Sequence, residues 1–467
     1  MEFCLRGGRS NTDFIDNAGG VDCSDHEVNI KILLNEVVAR GDLTDKHRAR
    51  LLEDMTDSVS ELVLKNNYRQ VQAISLAEFQ ALERSGEYRR FITNLEASGR
   101  LDRDLEFLPD DDELADRRVH GKGLTRPELA ILVSYSKAIL KEELIDSDLG
   151  KDPHLAAAVE TAFPQRLVDE YPQEIQQHRL HREIMCTQLA NDLVNRMGLN
   201  FVLRQRKATG APVADVARAY TSVMRIFGIA ETWDAIEALD HRVEAVTQTE
   251  MMLNLIRLVK RAVRWLLRNR RHEMAPTRTI AEFAGGVTQL REALPHRMRG
   301  RATDRYKERV KRYIDAGVDE PLAATVAGAV EGYTALGIIQ AATETNSPLL
   351  EVAELYFFMG ERLELDWFSA QILASKVDNE WQAMARDTYL EDLEWQQRTL
   401  AVGALRYVCE DRNLVKCLQT WEKEEKTLLE RWREMLTELH GTTAPDFAMF
   451  AVANRELLDL AQSSLRE

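Results

Sequence analysis

Little in this sequence could be stapled by disulfides, gathered around a metal or drawn through a bilayer. Its five cysteines are Cys4, Cys23, Cys186, Cys409 and Cys417. They are scattered, odd in number and never spaced C-x-x-C, which argues against a disulfide framework or a zinc site and fits a reducing compartment. The nearest approach to a membrane span, AILVSYSKAIL, is short and broken by Lys137. The opening MEFCLRGGRSNTDF has no apolar stretch of a secretory signal, so the expected address is cytoplasmic and no membrane partner is expected. A net charge of -16 disfavours a phosphate backbone as partner, so no nucleic acid is expected either. Proline and glycine are sparse, at 11 and 23 of 467 residues, which leaves room for long helices.

What is present is helical periodicity. NTDFIDN, with Phe14-Ile15 between turn formers, reads as the end of a strand, and AGG as the turn after it. From Val28, VNIKILLNEVVARG carries a broad apolar face closed by Gly41. Beyond this no alternating pattern is convincing, and helical segments keep returning. Capping boxes mark two starts, Ser75 with Glu78 in SLAEFQALERSG and Thr125 with Glu128 in LTRPELAILVSYSK. The acidic stretch 99–123, with Pro109, reads as a linker. The composition thus predicts a mainly α protein with one strand-like vestige at its front.

The most informative stretch is NAGGVDCSDHE, residues 17–27. Ser24 and Glu27 have the spacing of a further capping box. A helix start presents free amides and the positive end of a dipole, so a hydroxyl there is well placed to hold a carboxylate. Gly19 and Gly20 before it would allow a flat ligand close to the backbone.

DFIDNAGGVDCSDHEVN resembles the N-A-G-G-V-x-x-S-x-x-E motif of glutamate dehydrogenases. The longer LRGGRSNTDFIDNAGGVDCSDHEVNIKILLNEVV, with GLTRPELAILVSYSK and the helical remainder, is similar to the large bacterial NAD-specific members of that family. The resemblance implies oxidative deamination of L-glutamate to 2-oxoglutarate and ammonium with NAD, in a homo-oligomer. It places Asn17, Gly19 and Gly20 on the coenzyme side of the cleft and Ser24 on the substrate's distal carboxylate. It assigns no role to Asp22, Cys23, Asp25 or His26.

The family's lysines, proton-transferring aspartate and Gly-rich dinucleotide turn lie upstream of this motif, and no residue here matches a catalytic position. The resemblance therefore implies a C-terminal portion of a longer enzyme. Residues 1–40 would be the end of the coenzyme domain, a short remnant of a Rossmann-type α/β fold. Residues 41–120 would be a helical connection and 121–467 an all-α C-terminal domain. The alternative is a catalytically inert helical scaffold serving assembly or regulation.

Three other features invite function. His178 and His181 share a helical face in HRLHRE, but no third ligand is in view, and a polar surface accounts for them. Cys409 and Cys417 read as packed thiols, and no metal site is expected. LIRLVKRAVRWLLRNRRHE is a basic amphipathic helix that could meet a membrane or nucleic acid; against that stand the net charge and the acidic stretches 102–116 and 391–394, and an intramolecular or intersubunit contact with an acidic surface is the favoured reading. Trp367, Trp381 and Trp395, fourteen residues apart, are expected to mark successive core layers.

Overall fold

The computed structural model describes residues 2–271, 274–377, 379–407 and 414–465. Every regular element among them is a helix, so the mainly α, multi-helical expectation holds. The strand and its α/β remnant do not appear among the described residues. Asp13–Asp16 is a one-turn helix whose Ile15 is fully buried, and Asn17 joins it directly to the next helix. With no neighbouring strand to pair with, the local helical bonds satisfy this backbone instead.

The chain divides into two units, Met1–Ser222 with Leu266–Thr279, and Val223–Trp265 with Ile280–Glu467. In the first, the helices that matter most are α1 (Ala18–Arg40), α2 (Thr56–Phe79), α3 (Asp111–Val119), α4 (Arg126–Asp146) and α5 (His181–Met197). The central helix is α4, packed against α2 and α5. Its residues Arg126 to Val133 are all buried, charged ones included, so the first two turns are enclosed on every side.

The Thr125–Glu128 capping box forms as expected. The Ser75–Glu78 box does not, because both residues lie in the last turns of α2. Periodic burial of Ala73, Ile74, Leu76 and Ala77 carries that helix through the serine. The 99–123 stretch is more than a linker. Asp110 accepts from the Glu113 amide at 2.7 Å to start α3, and Leu101, Leu108 and Leu114 are buried.

In the second unit, α6 (Ala245–Asn269, of which residues to Trp265 belong here) carries the basic stretch, and α7 (Pro276–Arg297, of which residues from Ile280 belong here), α8 (Gly300–Asp315) and α9 (Glu320–Gly332) follow. A long helix, α10 (Glu380–Leu405), packs along α11 (Phe447–Ser464). Arg264 on α6 meets Asp387 at 2.9 Å and Glu391 at 2.8 Å, Lys260 meets Asp387 at 3.4 Å, and Arg261 pairs with Glu394. The basic face is thus matched within one unit by an acidic face of α10, whose Asp387, Glu391 and Glu394 follow at offsets of four and three.

The tryptophan expectation holds only in part. Trp367 is buried, but Trp381 is 79% and Trp395 39% exposed, while Trp421 and Trp432 are fully enclosed. Even spacing in sequence did not keep one face inward, because Trp381 and Trp395 sit on a different helix from Trp367. Cys417 is buried; Cys409 lies outside the described residues. No single helix among the described residues is long and apolar enough to cross a membrane.

Candidate functional site

The segment that carries the motif is one uninterrupted helix. α1 begins straight after Asn17, runs through Gly19 and Gly20, and stops at Gly41, whose φ of 87° is left-handed. Ser24 therefore lies two turns inside the helix, where its hydroxyl donates to the Gly20 carbonyl at 3.4 Å. It is not a cap, and Glu27 pairs with Lys31 instead of reaching back. The reason is tertiary. Burial of His26, Ile30, Leu33, Leu34 and Val37 holds the helix, and offsets the roughly 1 kcal/mol that each helical glycine costs.

The helix sorts the motif into two faces. Asn17, Gly20, Val21, Ser24 and Val28, at offsets of three and four, form an exposed stripe. Val21 is 62% and Val28 51% exposed, unusual for valines on an ordered helix. Gly19 lies to the side, where a Cβ would touch Val63 at 3.5 Å. The structure thus places Asn17, Gly20 and Ser24 together on one accessible surface.

The opposite face carries residues to which the sequence reading gave no role. His26, 3% exposed, donates from Nδ1 to the Ala162 carbonyl at 2.8 Å, and its Nε2 lies 3.6 Å from Asp22. Asn66 on α2 donates to Asp22 at 2.9 Å. Lys137 on α4 donates to Gln70 at 3.0 Å. Burial pushes the Lys137 amine down to about 7, partly offset by the charge of Asp22. Burial also opposes a charged His26, yet the bond to Asp22, its charge and the Ala162 carbonyl together raise that imidazole above its ordinary value. The spacing of Asp22 and His26, one turn apart, was legible in sequence; their partners from α2 and α4 were not.

A second tie holds the front in place. Arg126, in the GLTRPE stretch, donates to Asn11 at 3.0 Å, Ser75 at 3.0 Å and Glu78 at 2.9 Å. The two most recognisable stretches of sequence are thereby linked by one guanidinium. His178 and His181 are not arranged as ligands. His178 is buried, with Nε2 on the Asn29 carbonyl at 3.1 Å, and His181 contacts Gln176 at 3.2 Å.

The helical architecture and the motif face define a class, and sequence comparison names it. Residues 121–459 match the family model "Glutamate dehydrogenase, C-terminal", and residues 1–77 match "Bacterial NAD-glutamate dehydrogenase, catalytic domain". The chain belongs to the glutamate dehydrogenase family. It is 49% identical over 464 residues to the NAD-specific glutamate dehydrogenase of Pseudomonas aeruginosa, and 48% identical over 464 to that of Halomonas elongata. The Mycobacterium tuberculosis NAD-specific glutamate dehydrogenase is 33% identical over 466 residues. Each alignment covers 99–100% of this chain and 29% of the relative, so the chain spans under a third of these proteins' length.

Proposed function

We propose that this chain is the part of an NAD-dependent glutamate dehydrogenase that supplies one wall of the cleft and a helical body behind it. The whole enzyme oxidises L-glutamate to 2-oxoglutarate and ammonium. The observation that carries this reading is the exposed stripe of Asn17, Gly20, Val21, Ser24 and Val28, within the segment matched to the catalytic domain. Asn17 and Ser24 are seven residues apart, or roughly 10 Å along the helix. That span suits a five-carbon dicarboxylate, with the coenzyme at the Asn17 end and the distal carboxylate at the Ser24 hydroxyl.

The described residues do not by themselves cradle a dinucleotide. Gly19 and Gly20 lie in a helical turn, and no strand stands beside them among the described residues to form a phosphate-binding loop. No step of hydride transfer is therefore assigned to them. Nor does α1 supply the charge a dicarboxylate needs, since Lys31 is paired with Glu27. The second reading follows from the same observation: alone, this polypeptide is a helical scaffold without turnover.

The test compares the chain with a longer protein that carries the upstream dehydrogenase region. The chain alone should form no NADH from glutamate, and the longer protein should. In the longer protein, Ser24→Ala should raise the KM for glutamate by about tenfold or more, the loss of one hydrogen bond to a charged group, with kcat little changed. An unchanged KM would remove Ser24 from the substrate.

A further inference from the structure

Along α1, burial begins only at His26, and Ile30, Leu33, Leu34 and Val37 continue it toward the C-terminal end. Between the buried Ile15 and His26 no residue is buried. The two turns that carry Gly20, Val21 and Ser24 therefore have no hydrophobic anchor of their own. Their rotation about the helix axis must be set by polar contacts on the inner side.

Those contacts converge on Asp22 and His26. His26 Nδ1 meets the Ala162 carbonyl at 2.8 Å, at the end of the short 3-10 helix Ala157–Ala162, and a carbonyl can only accept. Nε2 faces the Asp22 carboxylate at 3.6 Å, and that carboxylate accepts from the Asn66 amide at 2.9 Å. Each ring nitrogen thus has an acceptor oxygen before it, which an imidazolium satisfies and a neutral ring satisfies only on one side. Burial works against the charge, but the contacts with Asp22 and the Ala162 carbonyl outweigh it and raise the imidazole above its ordinary value.

Few other charges face the pair. Asp25, exposed on α1, adds its field to His26, and Lys137 on α4 feels the charge of Asp22. On α2, Lys65 beside Asn66 is exposed. Glu160, two residues before Ala162, accepts from Gln176 at 3.3 Å.

Ser24 lies two residues from Asp22 and two from His26, or about 200° round the helix from each. Any turn of the helix that parts the inner pair swings the Ser24 hydroxyl through the same angle. We propose that Asp22 and His26 are positioning residues for glutamate, their ion pair, braced by Asn66 and Ala162, holding Ser24 toward the substrate's distal carboxylate. This rests on the reading of Ser24 as a substrate contact. Neither residue touches the substrate.

Steady-state kinetics of the longer protein that carries the upstream dehydrogenase region test this. Asp22→Asn, nearly isosteric and at a half-buried position, and His26→Phe should each raise the KM for glutamate threefold or more, with kcat changed less than twofold. Asp25→Asn, which removes the same charge from the exposed neighbour, should leave KM within twofold. In a Ser24→Ala background Asp22→Asn should add less than twofold, because the two act through one contact. The imidazolium is present at low pH, so the ratio of KM in His26→Phe to that in the parent should be largest near pH 6. It should shrink toward pH 8.5, where the parent loses the pair as well. Melting temperatures of the variants confirm that each is folded. If Ser24→Ala raises KM but Asp22→Asn and His26→Phe do not, the positioning role is overturned while the cleft reading stands. Losses that are independent of pH and additive with Ser24→Ala overturn it too, since they mark a merely structural pair. An unchanged KM in Ser24→Ala removes the cleft reading and this inference together.

Discussion

Arg117 Nη1 donates to both oxygens of the Glu128 carboxylate at 2.9 Å, and that carboxylate, 1% exposed, also accepts from the Thr125 amide at 2.6 Å. A helix cap has thereby been turned into a buried ion pair. Arg117 comes from α3, so the pair fastens the 99–123 stretch to the central helix of its unit. Removing the arginine leaves a charge with nowhere to go. Arg117→Ala should cost about 3–5 kcal/mol, read by urea unfolding, whereas Arg118→Ala, one residue on and exposed, should stay within about 0.5 kcal/mol. Equal effects would mean the pair adds nothing.

The amine of Lys137 titrates the stability of the same unit. Folding lowers its proton affinity, so the unfolded chain holds more protons between about pH 7 and the ordinary value of 10.5. Stability from this group is present above 10.5, falls as pH drops through that window and is lost below about 7. Its slope approaches ~1.4 kcal/mol per pH unit within the window. Lys137→Met should flatten the urea midpoint against pH between 7.5 and 9.5. His26 works in the opposite sense: its raised value adds stability below 6.5 that disappears as pH climbs past it. An unaltered slope in the methionine variant would show that the lysine is solvated.

The pairing of α6 with α10 should be felt mainly at Arg264, whose side chain is 9% exposed between Asp387 and Glu391. Arg264→Ala should cost about 2–3 kcal/mol, below the full penalty for a buried pair because both carboxylates retain some solvent. A double-mutant cycle with Asp387→Ala should show coupling of about 1 kcal/mol or more. Additive losses would demote the contact to surface charge.

Tryptophans offer a direct contrast. Trp432 is fully buried and its indole donates to the Leu363 carbonyl at 3.1 Å, whereas Trp381 is 79% exposed. Trp432→Ala should cost about 3–5 kcal/mol and Trp381→Ala less than about 0.5 kcal/mol, by thermal or urea unfolding.

Much of the architecture was legible beforehand. Helical periodicity, scarce proline and the Thr125–Glu128 spacing are local signals, and the helices they predict form. The partner of the basic helix was also foreseeable in kind, since seven basic residues among apolar ones need an acidic face. What could not be read was where a helix starts when several polar residues compete. Ser24 and Ser75 each have the capping spacing, yet both lie inside longer helices.

The sequence by itself determined that this protein is helical, that it carries the motif of its family, and that Asn17, Gly20 and Ser24 recur at helical spacing. Only the tertiary structure decided that these three share an exposed face while Asp22 and His26 turn inward to Asn66. It also decided that Arg117 satisfies Glu128, and that Trp381 faces solvent while Trp432 does not. The reason is physical. Propensity and periodicity act over a few residues, whereas helix length, facing and charge pairing are set by apolar burial and desolvation among segments tens to more than a hundred residues apart.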